Sequence, residues 1–314
     1  MWQSLLKYKR NNLTEICVHG AVSWSSPSGT PYSLTGEKIC YMRSLAKPLQ
    51  MKAVATELDN QLNSEEKALS LSSHNGEEKH LKILKGMLAE KDYHKLLLSP
   101  AAPLLKSKTE EIEPNKLCNA CSGKHAAIIK ACAINQWSSH YIDSSHNYHQ
   151  AYLKQVRRYL GEQFSPNHEA IDGCNLPTIS MTLNQQAQIY AFLNKEKDKD
   201  WIWSSMVSHP FIIGGTKRLD SHIMNSTSGE VLAKEGADGL LGLSLRNKDY
   251  PDGLGILIKI AHGTDFTAMN YIAQGILKSL GYDIRLLVKG PDKQTVHINP
   301  ELVPTRYREK LLHS

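Results

Sequence analysis

Two short strings in this chain bring serine and lysine into patterns that can do chemistry. Arg43-Ser44-Leu45-Ala46-Lys47-Pro48 sets a hydroxyl three residues before an amine. Ala233-Lys234-Glu235-Gly236-Ala237-Asp238 sets a second lysine two residues before a glycine. A serine hydroxyl is a weak nucleophile at neutral pH and needs a base within hydrogen-bond reach. A lysine three residues on along a helix shares the serine's face and becomes that base once burial or a second cation lowers its pKa. Beside S-x-x-K, a lysine ahead of glycine matches the K-T-G element of penicillin-recognising enzymes; alone it reads as a surface hairpin. Together these residue types allow acyl transfer.

Three further clusters are dense in reactive side chains. Ser72-Ser73-His74-Asn75-Gly76-Glu77 follows the apolar Ala68-Leu69-Ser70-Leu71, so it can set a hydroxyl and an imidazole at the end of a buried element. The same string also reads as the N-cap of the next helix. Cys118-Asn119-Ala120-Cys121-Ser122-Gly123-Lys124-His125 contains one C-x-x-C with no second such pair, which excludes a four-cysteine zinc module. Cys121 would stand near the positive end of a helix starting at about Ser122, where a thiolate is favoured. Ile171-Asp172-Gly173-Cys174-Asn175-Leu176-Pro177 reads either as a turn or as a polar loop site.

The elements that must position these residues follow from the pattern. Leu13 to Ser25 and Tyr32 to Met42 are β-leaning runs around a turn at Ser26 to Pro31, an expected hairpin. Ser44 to Leu58 reads as a helix, and Pro48 is tolerated only within its first turn, which puts Ser44 at or near a helix N-terminus. Further helices are expected over Ser64–Leu71, Glu77–Glu90, Lys124–Ile134, Tyr148–Leu160, Thr182–Leu193, Trp201–Phe211 and Thr264–Leu280. Strands are expected over Val231–Lys234, Leu240–Leu245 and Gly255–Ile260, with a short one near Ile284–Val288, and Ser99–Glu113 reads as an irregular connection. A hairpin, a helical middle, a late antiparallel group and a closing helix point to one α+β domain over 1–314, its sheet drawing strands from both chain ends.

Composition excludes several classes. The 314 residues are 41% apolar and 22% charged, as in an ordinary globular enzyme, and the net charge of +6 is spread among acidic residues instead of clustered. Nucleic acid is therefore not an expected partner. No run approaches the ~18 apolar residues of a membrane span, and Met1 to Leu13 shows no signal-peptide pattern. Six cysteines in this length are too few for a disulfide scaffold, so a reducing cytoplasm is the expected compartment. P-loop, H-E-x-x-H and G-x-S-x-G patterns are absent, which removes three common hydrolase readings.

The clusters in this order resemble the Rhizobium-type L-asparaginases, the asparaginase II group of serine–lysine tandem amidohydrolases. The shared strings are Arg43–Pro48, Ser73-His74, Asn119–His125, Asp172–Pro177, Lys234–Asp238 and Leu254–Ile260, spanning about His19 to Gly263. The resemblance implies a fold similar to serine β-lactamases and penicillin-binding proteins, an α/β/α sandwich with a central antiparallel sheet and helices on both sides. It implies two tandems, Ser44 with Lys47 and Ser73 with Lys234, one serine attacking the side-chain amide of L-asparagine to give an acyl-enzyme, ammonia and then aspartate. It implies a zinc ion (Zn2+) near the nucleophile on residues matching Cys121, Lys124 and Cys174, with Asp172, His74 and His125 around the substrate, and a homodimer. Helix-terminal placement favours Ser44 as the nucleophile. The competing expectations are a glutaminase or other serine amidohydrolase, a penicillin-recognising protein, and a zinc-binding module without turnover.

Overall fold

The computed structural model describes residues 1–103, 113–288 and 290–312. The chain divides into two compact units, each assembled from distant segments. Met1–Cys40, Met181–Lys195 and His222–Ser314 form the first; Tyr41–Ser180 and Glu196–Ser221 form the second.

The first unit is built on a seven-stranded sheet. Its order is Thr295–Ile298, Gln3–Arg10, Leu13–Ser26, Tyr250–Ile260, Leu240–Asn247, Leu232–Gly236, with Gly29–Leu34 also pairing to Leu13–Ser26. Every pairing is antiparallel. Side chains alternate between faces along a strand, and the contacts identify what covers each face. Ser23 donates to Asn184 Oδ1 at 2.7 Å, so one face carries the helix Leu183–Lys195. The neighbouring Trp24 points the other way, donating Nε1–H to Leu302 O at 2.9 Å and stacking on Tyr307. Helix and sheet approach closely at Gly255, where a Cβ would lie 1.9 Å from Ala187 O. A sheet covered on both faces explains the near-continuous burial of Leu240–Leu245 and Leu254–Ile258.

The late strands form where the sequence pattern expects them and the outer strands do not; the opening hairpin forms, but its second strand is Gly29–Leu34 instead of Tyr32–Met42. Gln3–Arg10 pairs with Leu13–Ser26 through a turn whose Asn11 sits at φ +52°, a conformation asparagine tolerates. The run Ile284–Val288 makes no strand pairing among the described residues. Its backbone is taken by side chains of the helix Phe266–Ser279 instead: Gln274 Nε2 donates to Ile284 O at 2.8 Å and Leu287 N–H to Asn270 Oδ1 at 3.4 Å. The edge strand is Thr295–Ile298.

The second unit is mainly helical. Its longer helices are Ser64–Leu71, Glu78–Met87, Ser122–Ile134 and Asn147–Leu160, and Glu169–Ile171 pairs with the strand Pro177–Thr182. The helix Ser64–Leu71 starts in a capping box, Asn63 with Glu66. The expected helix Ser44–Leu58 is broken into a 3-10 turn Arg43–Ala46 and short helices Lys47–Lys52 and Ala55–Leu58. Pro48 lies in the first turn of its helix, as proline's missing N–H requires, but that helix begins at Lys47, so Ser44 sits in the 3-10 turn before it. Pro210 likewise splits Trp201–Phe211 into Ile202–Ser208 and Pro210–Ile213. Of the connection Ser99–Glu113, Ala101 bridges to Asn115, and 104–112 lie outside the described residues.

Candidate active site

Two helices of the second unit meet closely enough to bring their ends together. Gly123 packs on Leu69, where a Cβ would stand 2.3 Å from the carbonyl oxygen. This brings Ser72 and Ser73, just past one helix, towards Ala120 and Cys121, just before the other. Lys47 fills the space between. It is 1% exposed, and its ammonium donates to Ser73 Oγ at 2.9 Å, to Ala120 O at 3.3 Å, and to Ser72 O through a short contact. A neutral amine fits the same three directions: two N–H groups on the carbonyls and a lone pair towards the Ser73 hydroxyl.

The observed pairing differs from the expected tandem. Lys47 gives its hydrogen bond to Ser73 and not to Ser44, one turn earlier. Ser44 is half-buried, its carbonyl accepts the Lys47 backbone N–H, and in a 3-10 turn residues i and i+3 eclipse. Ser44 therefore stands over the same face as Lys47 and is the more open of the two hydroxyls. Ser73 is 6% exposed and its backbone N–H is committed to Ile213 O at 2.8 Å. Lys234 is fully buried on the strand Leu232–Gly236 of the first unit, with Nζ donating to Glu235 O at 3.1 Å.

His74 is fixed as one neutral tautomer. Gly76 N–H donates to its Nδ1 at 3.0 Å, so Nε2 carries the proton and donates to Ser122 Oγ at 2.9 Å; Ser122 passes its own proton to Leu117 O at 2.9 Å. Burial, helped by His80, Lys47 and Arg218, holds the His74 pKa well below the usual imidazole range. His125 is also buried and depressed, first by desolvation and then by the charges on Lys124 and Lys47. Tyr141 OH accepts from Leu97 N–H at 2.9 Å, donates to Lys95 O at 3.2 Å and bonds His125 Nδ1 at 3.0 Å. That assigns the proton to Nδ1 and leaves His125 Nε2 as a buried acceptor without a partner among the described residues.

Cys121 and Lys124 both meet Cys174. Lys124 Nζ lies 3.4 Å from Cys174 Sγ. The hydrogen bond from Cys174, with Lys47 and Lys124 nearby, pulls the Cys121 pKa well below the usual thiol range, and the Cys174 thiol is pushed up as its donor. Burial works against the charge on Lys124, but Cys174, Cys121 and Asp172 outweigh it and raise its pKa. The set fits a zinc ion: the 3.4 Å separation approaches the ~3.5 Å edge of a tetrahedron with Zn–N ~2.0 Å and Zn–S ~2.3 Å. Among the described residues no three His, Cys, Asp or Glu side chains gather as a metal group, so a metal here depends on Lys124 as a ligand.

Asp172 accepts from Arg43 Nε at 2.7 Å, which ties the loop of Cys174 to the turn of Ser44. Arg43 holds φ +49°, a strained conformation for a non-glycine residue. Sequence reasoning missed Arg43 as the partner of Asp172, although it directly precedes Ser44; it gave Ser122 no role although it stands in the Asn119–His125 string, and it missed Arg218, for which no short pattern gives a signal.

The L-asparaginase II family profile matches residues 6–298, a span that includes every one of these residues. The chain belongs to the L-asparaginase II family. A search of curated proteins found no significant match. Membership in the L-asparaginase II family makes amide hydrolysis the chemistry to weigh against this geometry.

Proposed function

We propose that this protein hydrolyses L-asparagine to L-aspartate and ammonia through a Ser–Lys acyl-transfer site. Family membership supports the amidohydrolase class, and one observation carries the mechanism: Lys47, 1% exposed, lies 2.9 Å from the hydroxyl of Ser73, the nucleophile or the proton relay. In this reading Ser44 is the nucleophile, because it is the more open hydroxyl and shares a face with Lys47. Its Oγ attacks the side-chain amide carbon, and the hydroxyl proton passes to neutral Lys47, directly or through Ser73. The tetrahedral adduct collapses, the C–N bond breaks, and ammonia leaves with the proton from Lys47. Water then attacks the β-aspartyl ester, giving one proton to Lys47; as the ester C–O bond breaks, Lys47 returns that proton to Ser44 Oγ, releasing the free β-carboxyl of aspartate with Ser44 and neutral Lys47 restored.

A second reading makes Ser73 the nucleophile. The direct Lys47 contact favours it, and its committed backbone N–H and deep burial count against it. A cytoplasmic location belongs to the proposal on the cysteine content. Lys234 as the partner of Ser73, a fold of the β-lactamase type and a homodimer belong to it on the resemblance to the Rhizobium-type enzymes. So does zinc held by Cys121, Lys124 and Cys174, which when bound supplies fixed positive charge. Asp172 and Arg43 are read as substrate contacts, with His74 and His125 lining the same region.

The test is ammonia release from L-asparagine and L-glutamine, with the acyl-enzyme trapped by hydroxylamine as the aspartyl hydroxamate. Loss of both products in Ser44→Ala with retained fold supports the first reading. Hydroxamate from Ser44→Ala, with none from Ser73→Ala, supports the second. No ammonia from either amide in zinc-loaded wild type would refute the function, leaving a zinc-binding module.

A further inference from the structure

The peptide that carries Ser73 is gripped from a stretch no sequence pattern singles out. Ser73 N–H donates to Ile213 O at 2.8 Å and Asn75 N–H to Gly214 O at 3.0 Å, so Ser73–Asn75 runs extended beside the chain that follows the helix Pro210–Ile213. Arg218 Nη1 then donates to the carbonyl oxygen of Ser73 itself at 2.8 Å and to Asn75 Oδ1 at 3.3 Å. Glu77 closes the clamp: its Oε1 accepts Thr216 N–H at 2.8 Å and Asn75 Nδ2 at 3.0 Å, and its Oε2 accepts the Thr216 hydroxyl at 2.6 Å. Asn75 Nδ2 also donates to Thr216 O at 3.0 Å.

These bonds fix the peptide planes on both sides of the Ser73 Cα. One plane is set by its N–H on Ile213, the other by its C=O on a guanidinium, and a bond to a charged donor is about twice as strong as a neutral one. What remains free is the side-chain torsion, and Lys47 sets that by holding Oγ at 2.9 Å. We propose that Arg218 is a positioning residue for acyl transfer: it touches no reacting atom, and it holds the Ser73 peptide so that the hydroxyl stays on Lys47. The inference rests on the reading that Ser73 belongs to the acyl-transfer machinery, as nucleophile or as proton relay. It holds for either role. A misplacement of ~1 Å at a catalytic group costs on the order of 100-fold in rate, whereas Arg218 itself is not among the groups read as substrate contacts.

The experiment measures kcat and KM for L-asparagine in full-length wild type, Arg218→Ala, Arg218→Lys and Ser73→Ala, with thermal melts on each. Arg218→Ala is also assayed with millimolar guanidinium added. The expected result is a kcat lowered on the order of 100-fold in Arg218→Ala with KM within about threefold of wild type. Arg218→Lys should lose less than about tenfold, since it keeps the charge but not the fork, and guanidinium should restore part of the Arg218→Ala loss. A merely structural role would lower the melting temperature without this kcat-against-KM split and without rescue, and would overturn the inference. Unchanged kcat in Arg218→Ala beside an inactive Ser73→Ala overturns the positioning role alone; full turnover in Ser73→Ala overturns the reading beneath it as well. If Arg218→Ala does not fold, Arg218→Lys decides: a lowered kcat at unchanged KM supports the role and an unchanged kcat refutes it.

Discussion

Adding one methyl group at Gly123 should damage catalysis far more than stability. The new Cβ would stand 2.3 Å from Leu69 O and 2.7 Å from Leu69 Cγ, where ordinary contact begins at 3.4 Å. The helices Ser64–Leu71 and Ser122–Ile134 must therefore part by about 1.1 Å, the difference between 3.4 Å and 2.3 Å. Lys47 spans that gap, with Ser72 and Ser73 at the end of one helix and Ala120 before the other, so at least one of its bonds lengthens by ~1 Å and leaves hydrogen-bond range. The rate should fall on the order of 100-fold. Overpacking costs ~1–3 kcal/mol, and alanine's better helix propensity returns ~0.5–1 kcal/mol, so the fold survives. The assay is ammonia release at saturating L-asparagine beside a urea melt. Gly86→Ala is the control: its Cβ meets nothing closer than Glu66 Oε1 at 3.8 Å, so kcat should hold while stability rises slightly. A folded Gly123→Ala enzyme turning over within about threefold of wild type would refute the claim that this helix contact sets the site.

Three other outcomes follow from groups around the site. His74 and His125 are buried with folded pKa values well below 6.5, each through desolvation first, so the stability they contribute is complete above pH 6.5 and is lost as pH falls below it. Melts from pH 7 to 5 should show this loss, and His74→Gln should lessen it. Ser122→Ala strands the Nε2–H of His74 in a buried site and should cost ~1–3 kcal/mol in urea denaturation. On the proposed zinc site, binding would have to displace protons from Lys124 and Cys174, so zinc affinity by competition titration should weaken below neutral pH and Cys174→Ser should abolish stoichiometric zinc; wild type that takes up no zinc refutes the site.

Much of the site was legible because its chemistry lies in short local strings. Ser73-His74 and Asp172–Pro177 could be marked as polar clusters, and Pro48 marked the first turn of a helix, although that helix begins at Lys47 and not at Ser44. Which hydroxyl that helix serves was not legible. A spacing of three on one helix places Ser44 above Lys47, but the lysine is long enough to reach across to Ser73, and only the packing of Gly123 on Leu69 decides how near that serine comes. The strands Leu240–Asn247 and Tyr250–Ile260 were readable from continuous apolar runs. Gln3–Arg10 was not, because a strand with Lys7 and Lys9 on its open side hides Leu6 and Tyr8 in a polar background. Ile284–Val288 has the composition of a strand yet lacks an edge to join, since Asn270 and Gln274 satisfy its backbone. Arg218 had no readable signal at all; its role exists only once Ser73 lies beside it.

The pairing of Leu13–Ser26 with Tyr250–Ile260 has a consequence for how the chain is made. The two strands are separated by more than 220 residues, so during synthesis the first waits for the second. At ~5–20 residues per second the wait lasts on the order of 10–50 s. Over that interval Val22–Ser26 can pair along one edge with Gly29–Leu34, while the edge of Gly20–Ser25 reserved for Gly255–Ile260 stays open. An open strand edge is a template for wrong partners. The nascent chain is thus most exposed to aggregation while its second unit is being translated, and slower synthesis across residues 41–180 would lengthen that exposure.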